Sequence, residues 1–436
     1  MDKMELVSPS EKLATGTQEP SLTYSEKDLS ILKKIFPPER RDSIYNIGIT
    51  AIHGNEPHLI AASIAMRIND IFSANGMGRL PIVLPSLYGE RTQRIMLEEF
   101  PQDREEIFIS EDMGKILKQT EFSRAGYQAH LRSLAQNQLK TSEDLLNFLS
   151  RPFTAVSLSG KRREFLPQDR GIEINSGANV TASDKNERKT HFVFPVLLSE
   201  LMESTAKDPL LKGHFNSKVL EQAKRIGEDI ERGYLSTQVP YVSTLSSEPN
   251  YSTKNKILTP ALKAPRVSPS VLIKEGKGIY VMASGNEIGK EVQEDQARLL
   301  SAQFDILSPA WLKLDFGQQV IPDVIFNPNV RVVIGRAGWG IMWMAQVAEK
   351  PFAAFPHLWF DNPEIHFNIK TIQDYGLGVE FNEEHVVQVI RTSQTASERI
   401  RTLNQTINRE LKIPQGVDGV TFAAQNILKA EMEKAA

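Results

Sequence analysis

The residues with the clearest chemistry follow a short apolar run late in the chain. Val330–Gly335 reads VRVVIG, and the sequence RAGWG at 336–340 comes directly after it. A glycine-bearing turn at the start of a helix offers free backbone N–H groups and the positive end of the helix dipole. Such a turn binds anions, commonly a diphosphate, and the Arg336 guanidinium would add a positive charge. The alternative is that Gly338 and Gly340 only allow close packing of the helix against the strand.

A second candidate for phosphate binding follows an earlier apolar run. Ser284, Gly285 and Asn286 come directly after the sequence GIYVMA at 278–283. If both apolar runs are parallel strands, the two loops lie at the carboxyl ends of those strands, where open α/β sheets bind ligands. A glycine at this place also serves any tight turn, so the second loop gains weight only in combination with the first.

The elements that must position these loops alternate between strands and helices. A strand–loop–helix–strand unit is predicted from residue 45 to residue 90, and the same alternation resumes at 278 and continues to 356. The stretch 159–189 is polar and rich in glycine and charge, so we predict a long surface loop or a loop on the substrate side there. Four prolines between 244 and 270 indicate a linker and the last strand of the first half. The predicted fold is therefore α/β, with two facing parallel-sheet domains.

Length and composition limit the classes of protein to consider. The chain has 436 residues, a net charge of −3 and no cysteine. These numbers indicate two or three domains and exclude disulfides, thiol nucleophiles and cysteine metal sites. The chain has no excess of basic residues that would predict nucleic-acid binding, and no apolar run approaches the length of a membrane span. The polar segment 1–24 has no secretory signal, and we expect a cytoplasmic protein.

The segment 320–378 resembles the donor-binding half of glycosyltransferases that have two facing Rossmann-like domains, the GT-B architecture. The shared string runs from Pro322 through the RAG turn and the sequence EKPFAAFP at 349–356 to the glycines of 376–378. It is most similar to the N-acetylglucosaminyltransferases that complete the peptidoglycan precursor. The box around Gly338 and Trp339 also resembles that of plant UDP-glycosyltransferases.

The polar composition of 1–24 predicts a mobile leader, and the proline-rich stretch predicts a division into domains at 25–265 and 266–396. The resemblance implies that the first is the acceptor-side domain, that the second is the donor domain, and that a helical tail at 397–436 packs back on the first. Asp361 and Glu364 would then hold the sugar, since carboxylates accept hydrogen bonds from paired hydroxyls, and Asn368 would belong to the same donor site; otherwise the two acids are solvated loop residues. Met344 stands where these families carry a glutamate that binds the ribose.

Histidines raise two further possibilities. In related glycosyltransferases a Gly-His-x-x-Pro loop lies on the acceptor side of the cleft, and its histidine serves as general base. The sequence HGNEPH at 53–58 is similar, although its spacing differs by one residue. It makes His53 the candidate base, Glu56 the alternative and His58 an acceptor-side residue, unless the loop only caps the following helix. His357 and His366 flank the two acids, but their spacing matches no helical metal motif, so we expect no metal site.

Together these features predict a glycosyltransferase that uses a nucleotide-diphosphate sugar. The acceptor hydroxyl is not identified, and no cofactor or obligatory metal is expected. Two alternatives remain: a nucleotide-sugar epimerase of the same architecture, and a catalytically silent binding protein, which the methionine at 344 makes credible.

Overall fold

The computed structural model describes residues 24–37, 46–50, 55–120, 126–166, 170–177, 190–282, 290–309, 312 and 314–435. Within these residues, two separate β-sheets carry helices on their faces. Buried residues of both sheets, among them Ile172, Ile174 and Val333, belong to one continuous apolar core. No helix in the described part of the chain is both long and apolar enough to cross a membrane.

The first sheet has nine described strands. They are β1 (Asn46–Thr50), β2 (Ile82–Pro85), β3 (Ile107–Ser110), β4 (Phe153–Ser157), β5 (Arg162–Phe165), β6 (Arg170–Asn175), β7 (Thr190–Val193), β8 (Tyr234–Pro240) and β9 (Ile257–Thr259). Their spatial order is β5-β4-β3-β2-β1-β6-β7-β8-β9. The pairs β3–β4 and β4–β5 are antiparallel, and all other pairs are parallel.

The second sheet is parallel throughout. Its described strands are β10 (Gly278–Met282), β11 (Asp305–Ser308), β12 (Gln318–Gln319), β13 (Val330–Gly335), β14 (Phe352–Ala354) and β15 (Gly378–Glu380), in the order β12-β11-β10-β13-β14-β15. Central strands of such a sheet are covered on both faces, which explains their largely apolar sequences. In β13 only Arg331 is not buried.

Thirteen α-helices lie in the described residues and connect or cover these strands. They are α1 (Glu26–Ile35), α2 (Asn55–Ala74), α3 (Glu90–Glu99), α4 (Glu111–Leu117), α5 (Tyr127–Leu149), α6 (Leu198–Lys207), α7 (Ser217–Glu231), α8 (Lys290–Leu300), α9 (Trp339–Val347), α10 (Pro363–Asp374), α11 (Glu383–Arg391), α12 (Ser393–Glu410) and α13 (Gly419–Ala435). Lys118–Thr120 and Pro322–Phe326 form short 3-10 helices.

The prediction of a long surface loop at 159–189 is wrong where the structure describes it. Residues of this stretch form β5 and β6, and β6 pairs with β1 in the middle of the sheet. In β6 only Ile172 and Ile174 are apolar, and both are completely buried. Glu173 between them and Asn175 after them are polar although both are buried, so the segment has too few apolar residues to predict a buried strand.

The last helix returns to the first sheet. α13 packs against α1 and α2, and its residues Ala423, Ala424 and Ile427 are fully buried. His191 on β7 anchors it: the imidazole Nε2 lies 2.9 Å from Glu431 Oε1, and Nδ1 lies 2.8 Å from Ser236 Oγ. The domain boundary predicted at residue 397 falls inside α12.

Candidate active site

The second sheet reverses its strand order between β10 and β13. From β10 the chain proceeds to β11 and then β12 on one side, whereas β13, β14 and β15 follow one another on the other side. The carboxyl ends of β10 and β13 therefore lie side by side at the point of reversal, which is where open parallel sheets bind ligands. Arg336 begins the loop after β13. Ser284, Gly285 and Asn286, which follow β10 in sequence, lie outside the described residues.

The loop after β13 turns directly into α9. Gly338 is the N-cap residue and supplies no side-chain cap, while its own N–H donates to the carbonyl of Arg336 at 2.6 Å. The first amides of a helix have no partner within the helix, so they present the positive end of its dipole. Gly340 lies in this first turn and is buried.

Arg336 is held by an acid from the loop after β14. Its Nε donates to Asp361 Oδ2 and its Nη2 to Asp361 Oδ1, both at 2.7 Å. The Arg336 side chain is 18% exposed and that of Asp361 is 4% exposed. A two-bond pair of this kind fixes the plane of the guanidinium. Nη1 takes no part in the pair, so this group is the one that could meet an anion in the crevice.

Residues of α10 and its N-cap stabilise the same turn through hydrogen bonds. Asn362 caps α10 by accepting the N–H of Glu364 at 3.0 Å, and its Nδ2 donates to Glu364 Oε2 at 3.1 Å. One turn further, the buried Asn368 donates to the carbonyl of Ala337 at 2.6 Å. Glu364 is thus hydrogen-bonded to Asn362, and Asn368 to the backbone of the turn that begins α9.

Burial and charge separate the pKa values of the acids and the histidine at this site. Burial acts to raise the pKa of Asp361, but the charge and hydrogen bonds of Arg336 outweigh it and hold the pKa below its ordinary value. Burial raises the pKa of Glu364 despite the nearby Arg336. For His357, burial lowers the pKa to about 4, so this imidazole is neutral at neutral pH.

Trp339 faces the first half of the chain. Its indole Nε1 donates to Thr244 Oγ1 at 2.8 Å, and the carbonyl of Thr244 accepts the Thr371 hydroxyl at 3.1 Å. Met342, Trp343 and Met344 are 3%, 0% and 7% exposed, so all three are core residues. Met344 thus contributes packing at the position where the resemblance implies a ribose-binding glutamate.

The first sheet reverses its strand order between β1 and β6. His53 follows β1 in sequence and lies outside the described residues, as does the side chain of Glu56, whose backbone belongs to the first turn of α2. His58 is 1% exposed and therefore faces the interior. The buried hydroxyl of Ser176, just after β6, donates to the carbonyl of Pro57 at 2.7 Å and fixes the start of α2.

Three of these contacts involve residues that sequence reasoning missed. Ser176 lies in the stretch predicted to be a loop, and Thr244 lies in the predicted linker. Asn362 could have been found, because an Asn-Pro pair before an apolar pattern is a common start of a helix. In the described residues no group of three or more His, Asp or Glu side chains could hold a metal ion. His366 contacts Asp208 at 3.3 Å instead.

Comparisons with solved structures identify the fold of the chain. No family model matches the chain, and no curated protein matches it either. Solved structures match over nearly the whole length. A Polygonum tinctorium UDP-glucosyltransferase capable of glucosylating indoxyl is 13% identical, with a TM-score of 0.50, covering 89% of this chain and 99% of its own. Phytolacca americana UGT2, complexed with UDP-2fluoro-glucose and pterostilbene, is 10% identical, with a TM-score of 0.53 and coverages of 90% and 99%.

A third structure shows the same likeness. Arabidopsis thaliana UGT89C1 complexed with UDP is 10% identical, with a TM-score of 0.53, covering 89% of this chain and 100% of its own. The chain therefore has the GT-B fold, and the expected α/β architecture is confirmed.

Proposed function

We propose that the chain transfers a sugar from a nucleotide-diphosphate sugar to an acceptor hydroxyl. The observation that carries this proposal is the turn 336–338. It stands at the strand-order reversal of a parallel sheet, begins a helix without a side-chain cap and bears an arginine beside its first amides. A diphosphate is the ligand that suits such a turn best. The GT-B fold and its UDP-bound neighbours support the same donor.

The donor would bind along the loops of the second sheet. Its diphosphate would meet Arg336 and the amides from Gly338 to Gly340, together with the loop that contains Ser284, Gly285 and Asn286. Asp361 would serve mainly to orient Arg336. We place the division between an acceptor-side domain and a donor domain near residue 265. The predicted boundary at 397 falls inside α12, which is hydrogen-bonded to α9 through Asn404 and Gln346, so we place only α13 with the first domain.

The reaction would be a single displacement at the anomeric carbon. The acceptor oxygen forms the new bond to that carbon while the bond to the diphosphate oxygen breaks, and the hydroxyl proton passes to His53 or Glu56. The negative charge that develops on the diphosphate would be met by the dipole of α9 and by Arg336, with no obligatory metal. The absence of cysteine agrees with a reducing compartment such as the cytoplasm.

A second candidate function is binding without catalysis. Met344 is buried in the core at the position where the resemblance implies a ribose-binding glutamate, and Asp361 already neutralises Arg336.

Titration calorimetry with UDP, dTDP, GDP and their glucose conjugates tests the donor. Heat of binding for at least one conjugate supports the proposed site, and no binding for all of them contradicts it. Product analysis of the bound conjugate, with and without acceptor alcohols, then separates transfer from epimerisation and from silent binding.

A further inference from the structure

The loop between β14 and α10 carries an exposed aromatic side chain next to the proposed site. Trp359 is 63% exposed, whereas Trp339 and Trp343 are buried. Single exposed apolar residues are common on proteins, so exposure alone does not define a site. The surroundings of Trp359 distinguish it.

Two aromatic rings contact the indole. The imidazole of His214 stacks on it, with ring centroids 6.1 Å apart and an interplanar angle of 29°. The ring of Phe360 stands almost perpendicular to it, at 88° and 5.3 Å. With both neighbouring rings in place, 63% of the Trp359 surface is still exposed.

The backbone beneath this indole is also fixed. The carbonyl of Phe360 accepts the N–H of Tyr127 at 3.0 Å. Gly126 has a φ of 97°, and a Cβ at that position would lie 3.1 Å from the same carbonyl, so glycine allows this close approach. The next residue along the loop, Asp361, binds Arg336 through two hydrogen bonds. A side chain fixed in this way loses little freedom when a ligand binds to it.

The position of Trp359 relates it to the acceptor. His214 precedes α7, which leads back into β8, so it lies on the side where the parallel strands of the first sheet end. Trp359 follows the carboxyl end of β14 in the second sheet. The stacked pair thus joins the two halves on the side where an acceptor would approach the donor, two residues from Asp361.

We infer that the exposed surface of the Trp359 indole binds the planar, apolar ring of an aromatic acceptor alcohol. Aromatic rings stack on one another more favourably than their buried area alone predicts, and a preformed platform favours a flat partner over a puckered one. The identification of the ligand as an acceptor rests on the proposed function, whereas the ring-binding site itself does not.

The binding test compares two alcohols with the same carbon skeleton, 2-naphthol and the saturated decahydro-2-naphthol, by titration calorimetry on the full chain. We expect 2-naphthol to bind at least about tenfold more tightly, and W359A to remove most of this preference. W359F should bind 2-naphthol within about threefold of the wild type, because it keeps an aromatic face. L272A is the matched control, since Leu272 is 97% exposed and should leave binding unchanged.

Equal affinity of W359A and the wild type for 2-naphthol would overturn the inference. So would an absence of 2-naphthol binding to the wild type, or equal affinity for the two alcohols. If 2-naphthol binds through Trp359 but receives no sugar from any donor, the ring site stands and the proposed transfer fails. If sugar is transferred to 2-naphthol with an unchanged KM in W359A, the transfer stands and the ring site fails.

Discussion

Arg336 and Asp361, 25 positions apart in the chain, form a buried ion pair with two hydrogen bonds of 2.7 Å. The pair joins the loop after β13 to the loop after β14, at the carboxyl edge of the second sheet. It orients the guanidinium and leaves Nη1 for a ligand. Asp361, which the resemblance assigns to the sugar, therefore fixes the position of the positive charge at this site.

Breaking this pair should destabilise the protein. D361N removes the carboxylate charge but keeps the shape, and leaves a largely buried guanidinium without its counter-ion. We expect the free energy of unfolding at pH 7, measured in urea, to fall by about 3–5 kcal/mol. Because the pKa of Asp361 is held below its ordinary value of 3.8, the pair stabilises the protein above that pH and loses this effect as the pH falls through the lowered pKa. The two proteins should therefore converge in acid.

The exposed pair of Arg298 with Asp315 supplies the control for that measurement. Its bonds of 2.9 and 3.3 Å resemble those of the buried pair, but both side chains are more than half exposed. D315N should therefore change the stability little. An equal loss in the two variants would show that burial gives the Arg336–Asp361 pair no special role.

Glu364 should show the opposite dependence on pH. Burial raises the pKa of its carboxyl above the ordinary value of 4.5, so the folded state binds this proton more tightly than the unfolded state. The stability from this group is fully present below pH 4.5 and is lost as the pH rises through the raised pKa. E364Q keeps the shape without the charge, and its stability relative to the wild type should rise with pH from 4 to 8. A difference independent of pH would contradict this assignment.

The contact of His191 with Glu431 should hold α13 on the first sheet. E431Q weakens a buried hydrogen bond of 2.9 Å, and we expect it to cost about 1–3 kcal/mol of unfolding free energy. Amide hydrogen exchange in Gly419–Ala435 should accelerate more than elsewhere. E433Q is the control, because Glu433 on the same helix is exposed and its nearest cation, Lys429, lies 3.8 Å away. Equal exchange in the two variants would remove this role from Glu431.

Trp339 and Thr244 should be energetically coupled across the two halves. W339F and T244V each remove one partner of the 2.8 Å hydrogen bond, and in the double variant neither is left unpaired. A double-mutant cycle in urea unfolding should give a coupling of about 1 kcal/mol. Additive losses would mean that the bond does not contribute to the association of the halves.

Sequence reasoning succeeded where local pattern decides structure. The largely apolar run of β13, the glycines after it and the helix α9 could be predicted, because a buried parallel strand and its turn have a distinct composition. β6 was missed because two isoleucines are its only apolar residues, whereas Glu173 and Asn175, which are also buried, give the segment a polar composition.

Contacts between distant segments could not be read from the chain. Nothing in the spacing of Arg336 and Asp361 distinguishes a partner of the arginine from a ligand of the sugar. The same holds for Trp339, which sits in a phosphate-binding pattern but donates to Thr244, and for Asn368, which binds a backbone carbonyl. Each of these outcomes depends on how the two sheets and α10 are brought together.

The most direct test of the proposed function is the rate of sugar transfer by R336A, with the donor and acceptor that the wild type uses. R331A is the matched control, because Arg331 lies at the opposite end of the same strand, β13. We expect R336A to lose at least about a hundredfold in kcat/KM while it remains folded by circular dichroism, and R331A to stay within about threefold of the wild type. Equal transfer rates in folded R336A and the wild type would contradict the donor site and the proposed function with it.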